Sequence, residues 1–122
     1  MIAGDQTRRS FDSRILEHQA IEFICLPANG QLGVPAFHGF PNRTCDGGLQ
    51  LRVRFPSCWD GVGLDSPNHQ SHMAYPSRID TGSCSDSHPR HLPSLLYEVT
   101  WSITEFNHLR KRGDQPFVFS HG

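Results

Sequence analysis

Long apolar runs are missing from this sequence. The longest, Ala20 to Pro27, is interrupted by Glu22, and a membrane-spanning helix needs roughly 20 residues, so no membrane span is expected. Basic charge is scarce too. Eleven Lys and Arg stand against twelve Asp and Glu, a net charge of -1, and the basic runs Arg8-Arg9 and Arg110-Lys111-Arg112 are short. A nucleic-acid binder or a membrane-surface protein would want a basic stripe, so neither class is expected. The opening residues, Met1-Ile2-Ala3-Gly4-Asp5-Gln6, lack the basic start and apolar stretch of a secretory leader. Ser71 lies beside His72 without a G-x-S-x-G elbow around it, and no glycine-rich phosphate loop precedes a helix. Apolar residues make up only 36%, while eleven Gly and nine Pro point to a loop-rich architecture. The chain has room for one core, and residues 1–122 are read as a single domain.

What the sequence does contain begins with its four cysteines. Cys25, Cys45, Cys58 and Cys84 show no C-x-x-C spacing and sit in Gly/Pro-rich loops or at strand ends, which disfavours a structural zinc site built on paired cysteines. Four cysteines allow three connectivities. Pairing neighbours, Cys25 with Cys45 and Cys58 with Cys84, closes two small loops around the least regular regions. Each closure is worth about 3 kcal/mol in the chain-entropy view. Disulfides belong to oxidising compartments, so a secreted protein is expected. Asn42-Arg43-Thr44 forms an N-glycosylation sequon after Pro41, with Asn42 the acceptor. Oxidised cysteines without a leader suggest a fragment of a longer secreted domain.

Strand signals are clear and helix signals weak. From Ser94 to Ile103, Leu95, Tyr97, Val99, Trp101 and Ile103 alternate with Leu96, Glu98, Thr100 and Ser102. This period of two predicts a strand whose first set faces the core, Trp101 included. Leu49, Leu51, Val53 and Phe55 alternate likewise with polar neighbours. Ile21, Phe23 and Cys25 predict a third strand, and Phe117 to Phe119 a short fourth. Thr104 is a candidate cap for one short helical stretch to Arg112, with Gly113 as its stop. The expected fold is mainly β, an antiparallel sheet or sandwich with long disulfide-stapled loops.

Polar chemistry concentrates between Phe55 and Ser94. Asp65, His69, His72 and His88 fall within this Pro-rich segment, whose ends a Cys58–Cys84 bridge would pin together. His69, His72 and His88 are candidate ligands for a divalent metal such as zinc. Asp65, His72 and His88 are equally candidates for acid–base catalysis, because imidazole titrates near neutrality. The plainer alternative is that these histidines satisfy loop backbone groups. Trp59 and Tyr75, with Asp60 nearby, are candidate ligand-binding residues, since flat aromatic faces beside polar groups suit sugar rings. Glu98 lies on the opposite face of its strand from Trp101, where a groove or plain solvent is expected.

Several strings together carry a resemblance. Ala3-Gly4-Asp5, Phe55-Pro56-Ser57-Cys58-Trp59-Asp60-Gly61, the run from Leu64 to Pro76, His88-Pro89, the run from Leu92 to Glu98, and Gln115 to Phe119 resemble a large fungal family. It is known only as a domain of unknown function, numbered nineteen ninety-six. The resemblance implies a secreted protein, and through the family's association with wall-binding modules it implies cell-wall or plant polysaccharide as partner. It also implies a longer parent domain with outer histidine motifs on both sides of this segment. Asn68 stands where an acidic residue is common, His91 where Arg is usual, and His121 where Asn is usual. The stretch from Gln31 to His38 matches poorly. A metal-dependent hydrolase and a non-catalytic interaction module remain alternatives to a polysaccharide-directed protein.

Overall fold

A computed structural model describes residues 1–31, 34–111 and 114–120. The protein is mainly β, with two antiparallel sheets. Strands β1 (Ile21–Leu26), β2 (Ala36–Phe37), β3 (Gly48–Arg54) and β7 (Leu96–Trp101) form one sheet in the order β2-β1-β3-β7. Strands β4 (Cys58–Trp59), β5 (Met73–Ala74) and β6 (Arg90–His91) form the other, in the order β5-β4-β6. By contact density the chain divides into two compact units: residues 1–21 with 53–97, and residues 22–52 with 98–122.

In the second unit, β1 is an interior strand and buries two adjacent residues, Phe23 and Ile24, one on each face. β2 pairs with it antiparallel, Phe23 opposite Phe37. Leu49 at the start of β3 is fully buried, as the alternation predicts. Around Phe23 an aromatic cluster forms, with ring centroids 5.1 Å to Phe40 and 6.0 Å to Phe119, and Phe40 lies 4.9 Å from Phe119. Such pairs add about 0.5–1.5 kcal/mol each beyond the area they bury. The turn into β3 places Gly47 against the main chain of Leu26 and Pro27. A Cβ there would sit 2.5 Å from the Pro27 carbonyl oxygen, so only glycine permits the Gly47 N–H to reach the Leu26 carbonyl at 2.8 Å. The Cys25–Cys45 disulfide closes the same loop.

Three expectations need correction in this unit. The strand centred on Val99 forms, but all six residues of β7 are exposed. Val99 and Trp101 are 49% and 57% accessible, and only Ile103, just past the strand, is buried. β7 is an edge strand with no covering layer among the described residues, so alternation alone did not imply a core. Phe117 to Phe119 form no strand. The rings of Phe117 and Phe119 join the aromatic cluster, so ring contacts rather than a ladder account for these two residues. The helical stretch is a 3-10 helix, Thr104–Leu109, whose cap position is Ile103 without a side-chain bond. Its expected end at Arg112 and Gly113, like His121, lies outside the described residues.

In the first unit, a four-residue helix α1 (Leu16–Gln19) precedes β1. The long Pro-rich segment is not continuous loop: β4 takes β5 on one side and β6 on the other, with Cys58 opposite both Ala74 and His91. Cys58, Ser57, Pro56 and Pro76 are buried, and the Cys58–Cys84 disulfide ties the segment's far end to β4. Phe55 stacks edge-on against Tyr97 at 5.2 Å.

Candidate functional site

The segment between β4 and β5 is folded by its own side chains. Asp60 Oδ1 accepts from Val62 N–H at 2.9 Å, and the Trp59 indole N–H donates to the Gly63 carbonyl at 2.7 Å. Both therefore hold the turn that follows β4. Asn68 Oδ1 accepts three bonds, from Ser66 Oγ and from the N–H groups of Gln70 and Ser71. This compact turn places His69 at a φ of 56°, a left-handed conformation uncommon for a residue other than glycine.

The histidines are drawn to separate partners. Asp65 accepts from His69 Nδ1 at 2.8 Å in a solvent-exposed pair. That bond, followed by the Ser66 N–H, holds the Asp65 carboxyl below the usual carboxylate range. The bond leaves His69 Nε2 as the ring's remaining nitrogen. His72 is 4% exposed. Ser66 Oγ donates its single hydrogen to Asn68, so it accepts from His72 Nδ1 at 2.9 Å. His88 Nε2 donates to the Ser71 carbonyl at 3.1 Å, and its Nδ1 meets Ser87 Oγ at 3.0 Å. Both nitrogens of His88 are thus engaged.

His69, His72 and His88 do not together form a group whose ligand atoms all lie within 4.8 Å of one another. Among the described residues, the single group of three or more His, Cys, Asp or Glu whose ligand atoms all lie within 4.8 Å is Cys58, Cys84 and His91. The Asp65 carboxylate holds His69, the Ser66 hydroxyl holds His72, and the Ser87 hydroxyl and Ser71 carbonyl hold His88. Of the three candidate acid–base residues, Asp65 is exposed, His72 is buried, and His88 is bound to main chain. Among the described residues, Asp65 meets His69 rather than either of them.

Tyr75 faces a different surface. Its hydroxyl donates to the Arg54 carbonyl at 2.8 Å. Burial, then the Glu17 charge, pushes its pKa up to about 12. Tyr75, with Asn68, Gln70 and Ser71 from the histidine loop, lines an open cleft of about 510 Å³ within the first unit. The opposite wall comes from the amino-terminal residues Asp5, Arg8, Glu17 and His18. Arg8 is positioned by a bond from its guanidinium to the Glu17 carbonyl at 3.2 Å. Asp5 accepts from the Thr7 hydroxyl and N–H, which lowers its pKa. Sequence reading overlooked this wall, because residues 5–18 and 68–75 carry no shared motif. A signal was present in Ala3-Gly4-Asp5, which anchors the loop: the Gly4 carbonyl accepts from the Gln70 amide at 3.0 Å.

Asn42 is exposed in a bend. Glu98 pairs with Arg52 at 2.6 Å across the sheet, so its polar face carries an ion pair. Trp101 lines an apolar cleft of about 480 Å³ in the second unit, with Phe40, Leu49, Phe106 and Phe117. No helix among the described residues is long and apolar enough to cross a membrane. Two disulfides with no free cysteine are consistent with an extracellular protein. No curated protein and no solved structure matches the chain. A family model does, over residues 1–122, and the chain belongs to that family, the domain of unknown function DUF1996.

Proposed function

We propose that this domain is extracellular and binds a polysaccharide in the cleft of its first unit. The observation that carries this reading is the composition of that cleft. Carboxylates of Asp5 and Glu17, the Arg8 guanidinium and the amides of Asn68 and Gln70 surround the apolar faces of Ile2, Met73 and Tyr75. A sugar ring has the complementary character, with hydroxyls at its edge and C–H groups on its faces. An open cleft admits a chain of rings rather than one enclosed molecule. Trp59 and Asp60 serve this reading indirectly, by shaping the turn before the histidine loop. A hydrolase built on His69, His72 and His88 as metal ligands is less favoured, because two of those rings are held by hydroxyl and backbone partners.

The test is calorimetric titration of the disulfide-intact protein with soluble oligosaccharides of neutral glucan, chitin and pectin type. Amide chemical-shift mapping would accompany it. Binding should perturb residues 5–18 and 68–75, and Glu17→Gln and Arg8→Gln should each weaken it by about tenfold, the equivalent of one lost charge-assisted hydrogen bond. Absence of binding by every class, or perturbation confined to other surfaces, would make the non-catalytic interaction module the better reading.

A further inference from the structure

The Cys58–Cys84 disulfide has an imidazole beside it. Cys58 on β4 and His91 on β6 are direct antiparallel partners, and directly opposed residues project to the same face with their Cβ atoms about 4.5–5.5 Å apart. The Leu92 N–H to Ser57 carbonyl bond at 2.7 Å holds this register. A His91 ring nitrogen and both sulfur atoms consequently lie within 4.8 Å of one another. Two sulfurs and one imidazole are the donor set that a tetrahedral, sulfur-preferring cation takes, with a fourth position left for water. Nothing in the linear spacing of Cys58, Cys84 and His91 announces it, since the intervals follow no zinc-binding pattern.

We propose that the reduced domain binds a divalent cation of the zinc class through Cys58, Cys84 and His91, so that metal and disulfide are interchangeable closures of one loop. The chemistry requires a reductant, and a small-molecule thiol suffices. Its thiolate attacks the sulfur of Cys84, because Cys58 is fully buried and Cys84 only partly so. The sulfur–sulfur bond breaks, leaving a mixed disulfide on Cys84 and a thiolate on Cys58. A second thiol then displaces the first, releasing a small-molecule disulfide and a protein dithiol. The cation takes the two sulfurs as thiolates, displacing two protons, and accepts neutral His91 as the third ligand. Cys84 and His91 are the solvent-facing members, so the ion enters from their side. The site is built wholly within the first unit. β4 and β6 place two of its ligands directly opposite one another.

The full chain, reduced anaerobically with a thiol-free phosphine, should be titrated with cobalt(II) as a spectroscopic substitute and then with zinc. One equivalent of cobalt should produce thiolate-to-metal charge-transfer bands that zinc abolishes, and the oxidised protein should give none. His91→Ala should weaken binding by about tenfold or more, since even an outer partner of a ligand is commonly worth that much. In the wild-type chain, zinc should protect Cys58 and Cys84 from alkylation while Cys25 and Cys45 react. Equal protection of all four cysteines, no protection at all, or undiminished affinity in His91→Ala would each overturn the proposal. So would a reduced chain that unfolds and binds cobalt only as a flexible cysteine peptide does.

Discussion

Tyr75 joins the cleft to the main chain, and alkaline titration should expose that role. Its phenol is partly buried, donates to the Arg54 carbonyl, and faces the Glu17 charge; together burial and Glu17 push its pKa from 10.0 up to about 12. The folded state therefore holds the proton more tightly than the unfolded state does. The stability this confers is complete below pH 10 and is lost as pH rises through about 12. Two pH units correspond to roughly 2–3 kcal/mol at most, and solvent in the open cleft reduces this to about 1–2 kcal/mol. The chain has two tyrosines, and Tyr97 is 63% exposed, so Tyr97→Phe leaves Tyr75 as the sole phenol. In that variant, phenolate absorbance after rapid pH jumps should rise with a midpoint near 12, and denaturant stability should fall between pH 10 and that point. Tyr75→Phe should cost about 1 kcal/mol at neutral pH, from the Arg54 carbonyl left without its donor. It should also flatten the alkaline decline. A phenolate midpoint at 10 with circular dichroism still native would refute the reasoning, because the hydroxyl would then be neither desolvated nor bonded.

Three further outcomes are expected. Val99→Asp on exposed β7 should change stability by no more than about 0.5 kcal/mol, while Ile103→Ala, 5% exposed, should cost about 2–4 kcal/mol in urea denaturation; similar losses from both would show that β7 is covered in solution. The Arg110 guanidinium has its three nitrogens buried without hydrogen-bond partners among the described residues, 5.4 Å from the Phe117 ring, so Arg110→Met should raise the thermal midpoint, and a lowered midpoint would reveal a partner for the charge. The Asp65 carboxyl, followed by carbon-13 NMR, should remain ionised below 3.8 because His69 donates to it, and the small stability this brings should vanish as pH falls through that lowered value. His69→Ala should return the titration toward 3.8; an unchanged titration would mean the Ser66 N–H alone sets it.

Strands β1 and β3 were legible because their apolar residues recur at the period that a pleated backbone imposes, and the observed bounds fall within a residue or two of the pattern. The same period located β7 but misjudged its burial. Alternation reports that two faces differ, whereas burial depends on whether another layer lies over one of them. Phe117 to Phe119 mimicked a strand for a related reason, since packing against Phe23 and Phe40 selects the same side chains as a sheet does.

The sequence by itself determined the β character and a stapled loop, because periodicity and cysteine count are local properties. It also concentrated the polar chemistry between Phe55 and Ser94. Only the tertiary structure decided which groups meet. The histidine loop disperses its imidazoles because each finds a different neighbour: the Asp65 carboxylate for His69, the Ser66 hydroxyl for His72 and the Ser71 carbonyl for His88. The amino-terminal segment reaches the Asn68 turn where the Gln70 side-chain amide donates to the Gly4 carbonyl, 66 positions away, and His91 reaches Cys58 through strand register. Those contacts depend on chain return and pairing geometry, which no local spacing encodes.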